Sequence, residues 1–178
     1  MKIEIVACVA ENNVIGNNGE MPWGTLSADL SHFRNITING IVIMGMNTYM
    51  SIGKPLDNRI NLIVTSDLSL LARDVEMDED NATLEFFAPS FATAMKYAEK
   101  VITRFPQIKG AFVIGGQSMY EQAMPYASSM HLTELFEEHP GDRFFPEFSA
   151  ADWKMVKEEY ASEDGREMRF VEYARQNF

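Results

Sequence analysis

Asp29 stands near the start of a segment, Ser27 to Thr37, whose spacing predicts a helix with Leu30 and Phe33 on one face. Asp29 shares that face with Phe33 at i+4, Leu30 flanks it, and Ser27 is the expected N-cap. The carboxylate has two readings. A carboxylate in a first helical turn is stabilised by the helix dipole and needs no further role. Set among apolar side chains, it could instead be a partly buried acid in a pocket, able to pair with a planar amidine-like ligand edge or to manage a proton. Immediately upstream, Val14-Ile15-Gly16-Asn17-Asn18-Gly19-Glu20-Met21-Pro22-Trp23-Gly24 is rich in Gly and Asn and reads as a loop. Its large apolar groups fit either a lid over a ligand or a loop anchored in the core by Trp23.

Two further stretches could hold an anion. From Gly110 to Tyr120 the chain reads strand, Gly115-Gly116, helix; from Ile41 to Tyr49 it reads strand, Gly45, helix. Glycine at the carboxyl end of a strand lets a ligand approach the backbone, and the helix that follows offers free N–H groups. Ligands of open α/β sheets sit at strand carboxyl ends, so two such turns could grip a pyrophosphate. Neither run is a dinucleotide or P-loop fingerprint, and each alone is also explained as a tight turn with no ligand. The lone cysteine, Cys8, lies in an apolar stretch without a base nearby in sequence, so it reads as a small hydrophobe rather than a nucleophile. His32, His131 and His139 share no metal-ligand spacing, and no metal site is expected.

These residues need a scaffold. Short apolar runs recur at Ile3–Ala10, Ile41–Met44, Ile60–Thr65 and Ala111–Ile114, without strict alternation, as in strands covered on both faces. Helical patterns lie between them: Ser27–Thr37, Phe91–Arg104 with a stripe of Ala94, Met95, Ala98, Val101 and Ile102, and Gln117–Met124 before Pro125. Met155–Ala161 and Glu167–Ala174 flank Glu163-Asp164-Gly165 as a hairpin. Asp74–Asp80 and Glu134–Asp142 read as solvated acidic loops. The expected fold is a single α/β domain over residues 1–178, with a mostly parallel central sheet, helices on both faces and a C-terminal antiparallel hairpin.

Composition narrows the function. The chain has 178 residues, with 15 Lys+Arg against 26 Asp+Glu, a net charge of −11. That argues against nucleic acid or an anionic membrane as partner, though not against a small anion held by local groups. One cysteine excludes a disulfide framework and fits a reduced, cytoplasmic setting. No segment reaches the ~18 apolar residues of a membrane span.

Several segments, taken in order, carry a resemblance. They are Ile5–Ala10, Val14-Ile15-Gly16, Met21-Pro22-Trp23, Leu26 to Phe33, Ile43 to Arg59, Val113 to Tyr120, Leu132-Thr133 and Gly141 to Pro146. At this spacing they resemble the dihydrofolate reductase family over nearly the whole chain. The resemblance implies reduction of dihydrofolate to tetrahydrofolate by hydride from NADPH, by a monomer open to antifolate inhibitors. It implies Asp29, Trp23 and Thr133 as catalytic residues: Asp29 orienting the pterin and favouring protonation at N5, Thr133 supporting the carboxylate, Trp23 acting through water. Val6, Ala7 and Cys8 would lie beside the pterin and nicotinamide. Leu30, Phe33, Ile52 and Leu56 would line the ring slot, and Arg59 would bind the substrate's α-carboxylate. Unaided, Arg59 reads as a surface turn residue after Asp57-Asn58, and Lys54 as a solvated lysine. For the cofactor the resemblance implies Cys8, Ile15, Gly16, Asn18, Gly19 and Met21, then Gly45, Met46, Asn47 and Thr48. Thr65 and Ser66 follow, then Ile114, Gly115, Gly116, Gln117, Ser118, Met119 and Tyr120. Alternatives are a related NAD(P)H-dependent pterin or pyrimidine reductase and a non-catalytic folate-binding structural protein.

The chain departs from the family in two places. Met46 and Ser118 stand where the family commonly keeps arginines near the cofactor phosphates, and Asp67 follows Thr65-Ser66. Weaker discrimination of NADPH against NADH is therefore expected, unless a distant residue such as Arg73 compensates. Gly24-Thr25 also lengthen the Trp23–Asp29 connection by one residue relative to bacterial members, and Ser27 replaces a proline.

Overall fold

Apolar, β-branched runs too short for buried helices become strands when a sheet covers them on both faces. The computed structural model describes residues 1–71, 77–78 and 83–176. Its strands are β1 (Ile3–Val9), β2 (Val14–Gly16), β3 (Ile41–Gly45), β4 (Ile60–Val64), β5 (Met77–Asp78), β6 (Thr83–Ala88), β7 (Ala111–Gly115), β8 (Ser129–Leu135), β9 (Arg143–Phe144), β10 (Trp153–Glu163) and β11 (Arg166–Arg175). The helices are α1 (Ser27–Thr37), α2 (Met46–Ile52), α3 (Leu68–Leu71), α4 (Phe91–Arg104) and α5 (Gln117–Ala123). Among the described residues one nine-stranded sheet runs β10-β11-β8-β1-β7-β3-β4-β6-β5, and β2 pairs with β9 beside it. The strands from β8 to β6 are parallel, while β11, β10 and β5 are antiparallel to their neighbours.

Alternate residues of the central strands feed two cores. Ile5, Ala7, Ile43, Leu62, Val113 and Leu132 pack with α4 and α5 on one face. Val6, Val42, Met44, Ile63 and Phe112 pack with Phe33 and Ile36 of α1 and with Tyr49 of α2 on the other. The helices thus lie on both faces, as expected. The stripe on α4 holds too: Ala94 and Ala98 are fully buried, with Met95, Val101 and Ile102 against them, and Ser90 caps the helix.

Some expectations are corrected. The N-cap of α1 is Leu26, not Ser27, and no side chain of its own segment caps it. Glu134 and Leu135 finish β8 and Arg143–Phe144 form β9, so the acidic loop is shorter than 134–142. Asp74–Asp80 and Arg73 lie outside the described residues except for Met77–Asp78, which form β5 rather than a loop. The β8 sequence, Ser-Met-His-Leu-Thr-Glu-Leu, alternates because Met130 and Leu132 enter one core while Ser129, His131 and Thr133 lie on the other face of the sheet, beside Glu4, Val6 and Cys8 of β1. A search for continuous apolar runs passes over such a strand. Among the described residues no helix is long and apolar enough to cross a membrane.

Glu4 is buried at the amino end of β1, where a lone carboxylate would be costly. It is paired: His131 Nε2 lies 2.6 Å and Ser129 Oγ 3.0 Å from its Oε2, and Lys2 Nζ lies 3.1 Å from its Oε1. Burial pushes its pKa up, but the contacts with His131 and Lys2 outweigh burial and bring it from the ordinary 4.5 to about 2. A carboxyl group lowered on folding adds stability above its unfolded pKa and loses it as the pH falls through the folded one. We therefore expect Glu4→Gln to destabilise the protein at pH 7 by on the order of 2–3 kcal/mol. The penalty should shrink toward pH 2, which urea denaturation of both proteins at neutral and acid pH will measure.

Candidate active site

The carboxyl ends of β1, β3, β4 and β7 open into one cavity of about 1080 Å³. All the site residues anticipated from sequence line it except Trp23, Leu56 and Arg59. At its head is Asp29, in the first turn of α1 and only 9% exposed. Thr133, at the carboxyl end of β8, donates a hydrogen bond to it. Burial pushes the Asp29 pKa up, the Thr133 bond pulls it down, and the charge of Glu163 raises it further. Cys8 is opposite Thr133 in the sheet. Burial and the charge of Asp29 push its thiol well up, so it stays protonated and is no nucleophile. Tyr120, buried beside them, donates to the Val6 carbonyl at 3.0 Å.

Below Asp29 the walls are apolar. Leu30 is 46% and Ile52 36% exposed, which ordinary core packing would not leave open. Phe33 completes this slot. Against Phe33, 5.7 Å from its ring centroid, sits the Arg59 guanidinium. Arg59 is buried, not the surface turn residue that its neighbours suggest. Its Nε donates to the Asp57 carbonyl at 3.0 Å and its Nη1 to Thr37 Oγ1 at 3.0 Å. Among the described residues no carboxylate comes within 4.0 Å of it, and burial followed by nearby Arg34 lowers its pKa. Leu56 packs in the same α1-side core instead of lining the cavity.

At the other end the two glycine turns converge. A methyl group on Gly116 would meet Thr48 Oγ1 at 3.3 Å, and one on Gly115 would meet the Tyr120 hydroxyl at 3.2 Å. Neither α2 nor α5 has a side-chain cap, so their first backbone N–H groups are available to a ligand. Beyond β4, the Thr65 hydroxyl accepts from the Asp67 N–H at 3.1 Å, and Asp67 Oδ1 accepts from Ser69. Sequence reading passed over Glu20, His32, Ser51, Val64, Asp142 and Arg143 as lining residues, while Asp67, expected near the cofactor phosphate, does line the cavity. His32 was legible in principle, because it sits one turn beyond Asp29; its ring stacks on Phe170 at 4.1 Å.

The glycine- and asparagine-rich loop closes one side. Ser51 Oγ donates to the Gly19 carbonyl at 2.9 Å, and Asp142 receives the Asn18 N–H at 3.3 Å. Met21 is 44% exposed at the cavity, whereas Trp23 is buried with Val14, Leu26, Leu135 and Met168. The loop therefore lines the cavity at Met21 and is anchored in the core at Trp23. The Trp23 indole N–H is buried without a partner among the described residues.

The sequence profile described as dihydrofolate reductase matches residues 2–175. The chain belongs to the dihydrofolate reductase family. The dihydrofolate reductase of Bacillus subtilis is 33% identical over 178 residues, covering 98% of this chain and 95% of that protein. Dihydrofolate reductase HdrB of Haloferax volcanii is 34% identical, covering 98% and 84% respectively. A solved dihydrofolate reductase from Enterococcus faecalis, complexed with NADP(H) and RAB-propyl, superposes with a TM-score of 0.75 over 99% of this chain and 97% of that one, at 22% identity. The last comparison speaks to fold alone. For this dihydrofolate reductase-family chain, Gly115 resists change on two counts. Its φ of 123° is one that residues with a side chain rarely adopt, and an added methyl would press on the Tyr120 hydroxyl. Gly115→Ala should cost roughly 1–3 kcal/mol, read as a lower Tm in a thermal melt.

Proposed function

We propose that the chain reduces 7,8-dihydrofolate to 5,6,7,8-tetrahydrofolate with NADPH, and that the cavity headed by Asp29 is where it does so. The observation that carries this is a buried carboxylate, braced by Thr133, at one end of a cavity whose other end is two converging glycine turns. When bound, NADPH supplies the hydride that adds to C6 of the pterin.

The protein's own residues do the rest. Asp29 accepts hydrogen bonds from the pterin's amino group and ring N–H, fixes the ring, and favours a proton at N5. Its raised pKa suits a group that manages a proton nearer neutral pH. Thr133 holds the carboxylate, and the unpartnered Trp23 N–H reaches the pterin side through water. Val6, Ala7 and Cys8 form the floor, while Leu30, Phe33 and Ile52 hold the pterin and p-aminobenzoyl rings, with Leu56 packed behind them. Arg59 offers its guanidinium fork to the substrate's α-carboxylate, and the absence of an ion-pair partner for it among the described residues supports that role. The same Asp29 edge accepts amidine-like antifolates.

On the cofactor side, the N–H groups at Gly45–Thr48 and Gly115–Tyr120 hold the pyrophosphate. Ile15, Gly16, Asn18, Gly19 and Met21 cover the nicotinamide half, and Thr65 and Ser66 meet the adenosine end. The working unit is one chain, one domain and a monomer, in the cytoplasm.

The test is NADPH oxidation with and without dihydrofolate. A rate dependent on dihydrofolate supports the reading, and its absence overturns it. Asp29→Asn should slow turnover at neutral pH by roughly 10²–10⁴-fold while the NADPH Kd stays nearly unchanged. Collapse of NADPH affinity instead would remove Asp29 from its assigned role.

Cofactor choice gives a second test. Met46, Ser118 and Asp67 all line the cavity, whose lining among the described residues carries Glu20, Asp29, Asp67 and Asp142 against one guanidinium, Arg143, itself 3.6 Å from Asp142. Each missing charged hydrogen bond to a phosphate forgoes roughly 1.5–3 kcal/mol. The ratio of kcat/KM for NADPH over NADH should therefore be modest, and a preference of roughly several thousand-fold for NADPH would refute it.

A further inference from the structure

The helix that carries Asp29 does not cap itself. Its N-cap, Leu26, is apolar, and the first two helical N–H groups, from Ser27 and Ala28, are taken instead by Glu163, at 2.9 and 2.7 Å to its two carboxylate oxygens. Glu163 ends β10, and across the hairpin it faces Arg166, which opens β11. Arg166 donates to the Trp23 carbonyl, and its Nε lies 3.5 Å from Glu137. Between these two strand ends the turn is only Asp164 and Gly165, with φ of 52° and 79°, the left-handed pair that a two-residue hairpin needs. The hairpin tip therefore grips the chain at Trp23 and again at Ser27-Ala28. The gripped stretch holds the extra residue noted above, and Gly24 in it has a φ of 74°.

We propose that Glu163 is a positioning residue for Asp29: with Arg166 it clasps the Trp23–Ala28 connection, fixes the first turn of α1, and places a second negative charge beside the working carboxylate. This rests on Asp29 being the proton-managing group proposed above. Asp29 is the third residue of the helix whose first two N–H groups Glu163 holds, so the two carboxylates share one helix end. The titratable groups around Asp29 are Cys8 of β1, Tyr120 of α5, His32 one turn along α1, and Glu163. Thr133 of β8 is its hydrogen-bond partner. Like charges disfavour each other's ionised forms. Glu163 is held ionised by the Ala28 and Ser27 N–H groups, and its charge raises the Asp29 pKa. Cap and charge thus act on Asp29 together, without Glu163 lining the cavity.

The experiment compares the full-length protein with Glu163→Gln and Glu163→Ala. The Asp29 carboxyl carbon is titrated by NMR, its resonance assigned by its loss in Asp29→Asn, beside the pH profile of dihydrofolate reduction. In Glu163→Gln the Asp29 midpoint and the pH profile should both move to lower pH, because the charge is gone while an acceptor oxygen remains for the helix. In Glu163→Ala the KM for dihydrofolate should also rise several-fold while the KM for NADPH holds. An unmoved Asp29 midpoint in folded Glu163→Gln overturns the proposal. A lowered Tm with an unmoved midpoint does the same, since it reduces Glu163 to a structural cap. Should Glu163→Ala not fold, Glu163→Gln carries the test alone. A shifted midpoint in a protein without dihydrofolate reduction would sustain the clasp and sink the proposed function; activity with an unmoved midpoint would do the reverse.

Discussion

The burial of Asp29 beside Thr133 is the constraint on which the site depends. A carboxylate withdrawn from water is costly unless its oxygens find partners. Placing that partner requires the carboxyl end of β8 to meet the first turn of α1. The sheet order brings β8 beside β1 at the centre, in a register that sets Thr133 opposite Cys8. The α1-side core then fixes the helix through Phe33 and Ile36. The chemistry depends on this packing, because a carboxylate free to swing into water would lose both its raised pKa and its aim.

The acidic balance of the chain acquires a local meaning in this frame. A protein of net charge −11 that handles anions cannot rely on its general field. It must use dipoles and single cations placed where needed. Uncapped helix ends at the glycine turns have the dipoles, and Arg59, buried against Phe33, has the charge, that the proposed function calls on.

What could be read from the sequence was local. The boundaries of α1 and α4, the glycine turns and the hairpin follow from spacing within a dozen residues, and the structure agrees with them. Asp29 itself was visible as a polar residue on an apolar face. What escaped reading depends on contacts between distant residues. Arg59 looks exposed beside Asp57-Asn58, and only Thr37 and Phe33 bury it. Ser27 looks like a cap, but Glu163, far along the chain, takes the N–H groups. β8 hides behind its alternation, because its polar residues lie beside β1 on the other face of the sheet rather than in solvent. Whole-chain resemblance supplied Arg59 and Thr133, which no short window distinguishes.

The strand pair β1 and β8 carries a paired carboxylate at each end of one face: Glu4 with Ser129 and His131 at the amino ends, Asp29 with Thr133 at the carboxyl ends. Their surroundings push them in opposite directions, Glu4 down to about 2 and Asp29 upward. As a solution is acidified, Asp29 accepts its proton first, while Glu4 still holds the strands together. Acidification therefore reaches the ionisation of the site before it reaches the Glu4 pairing that joins the two strands.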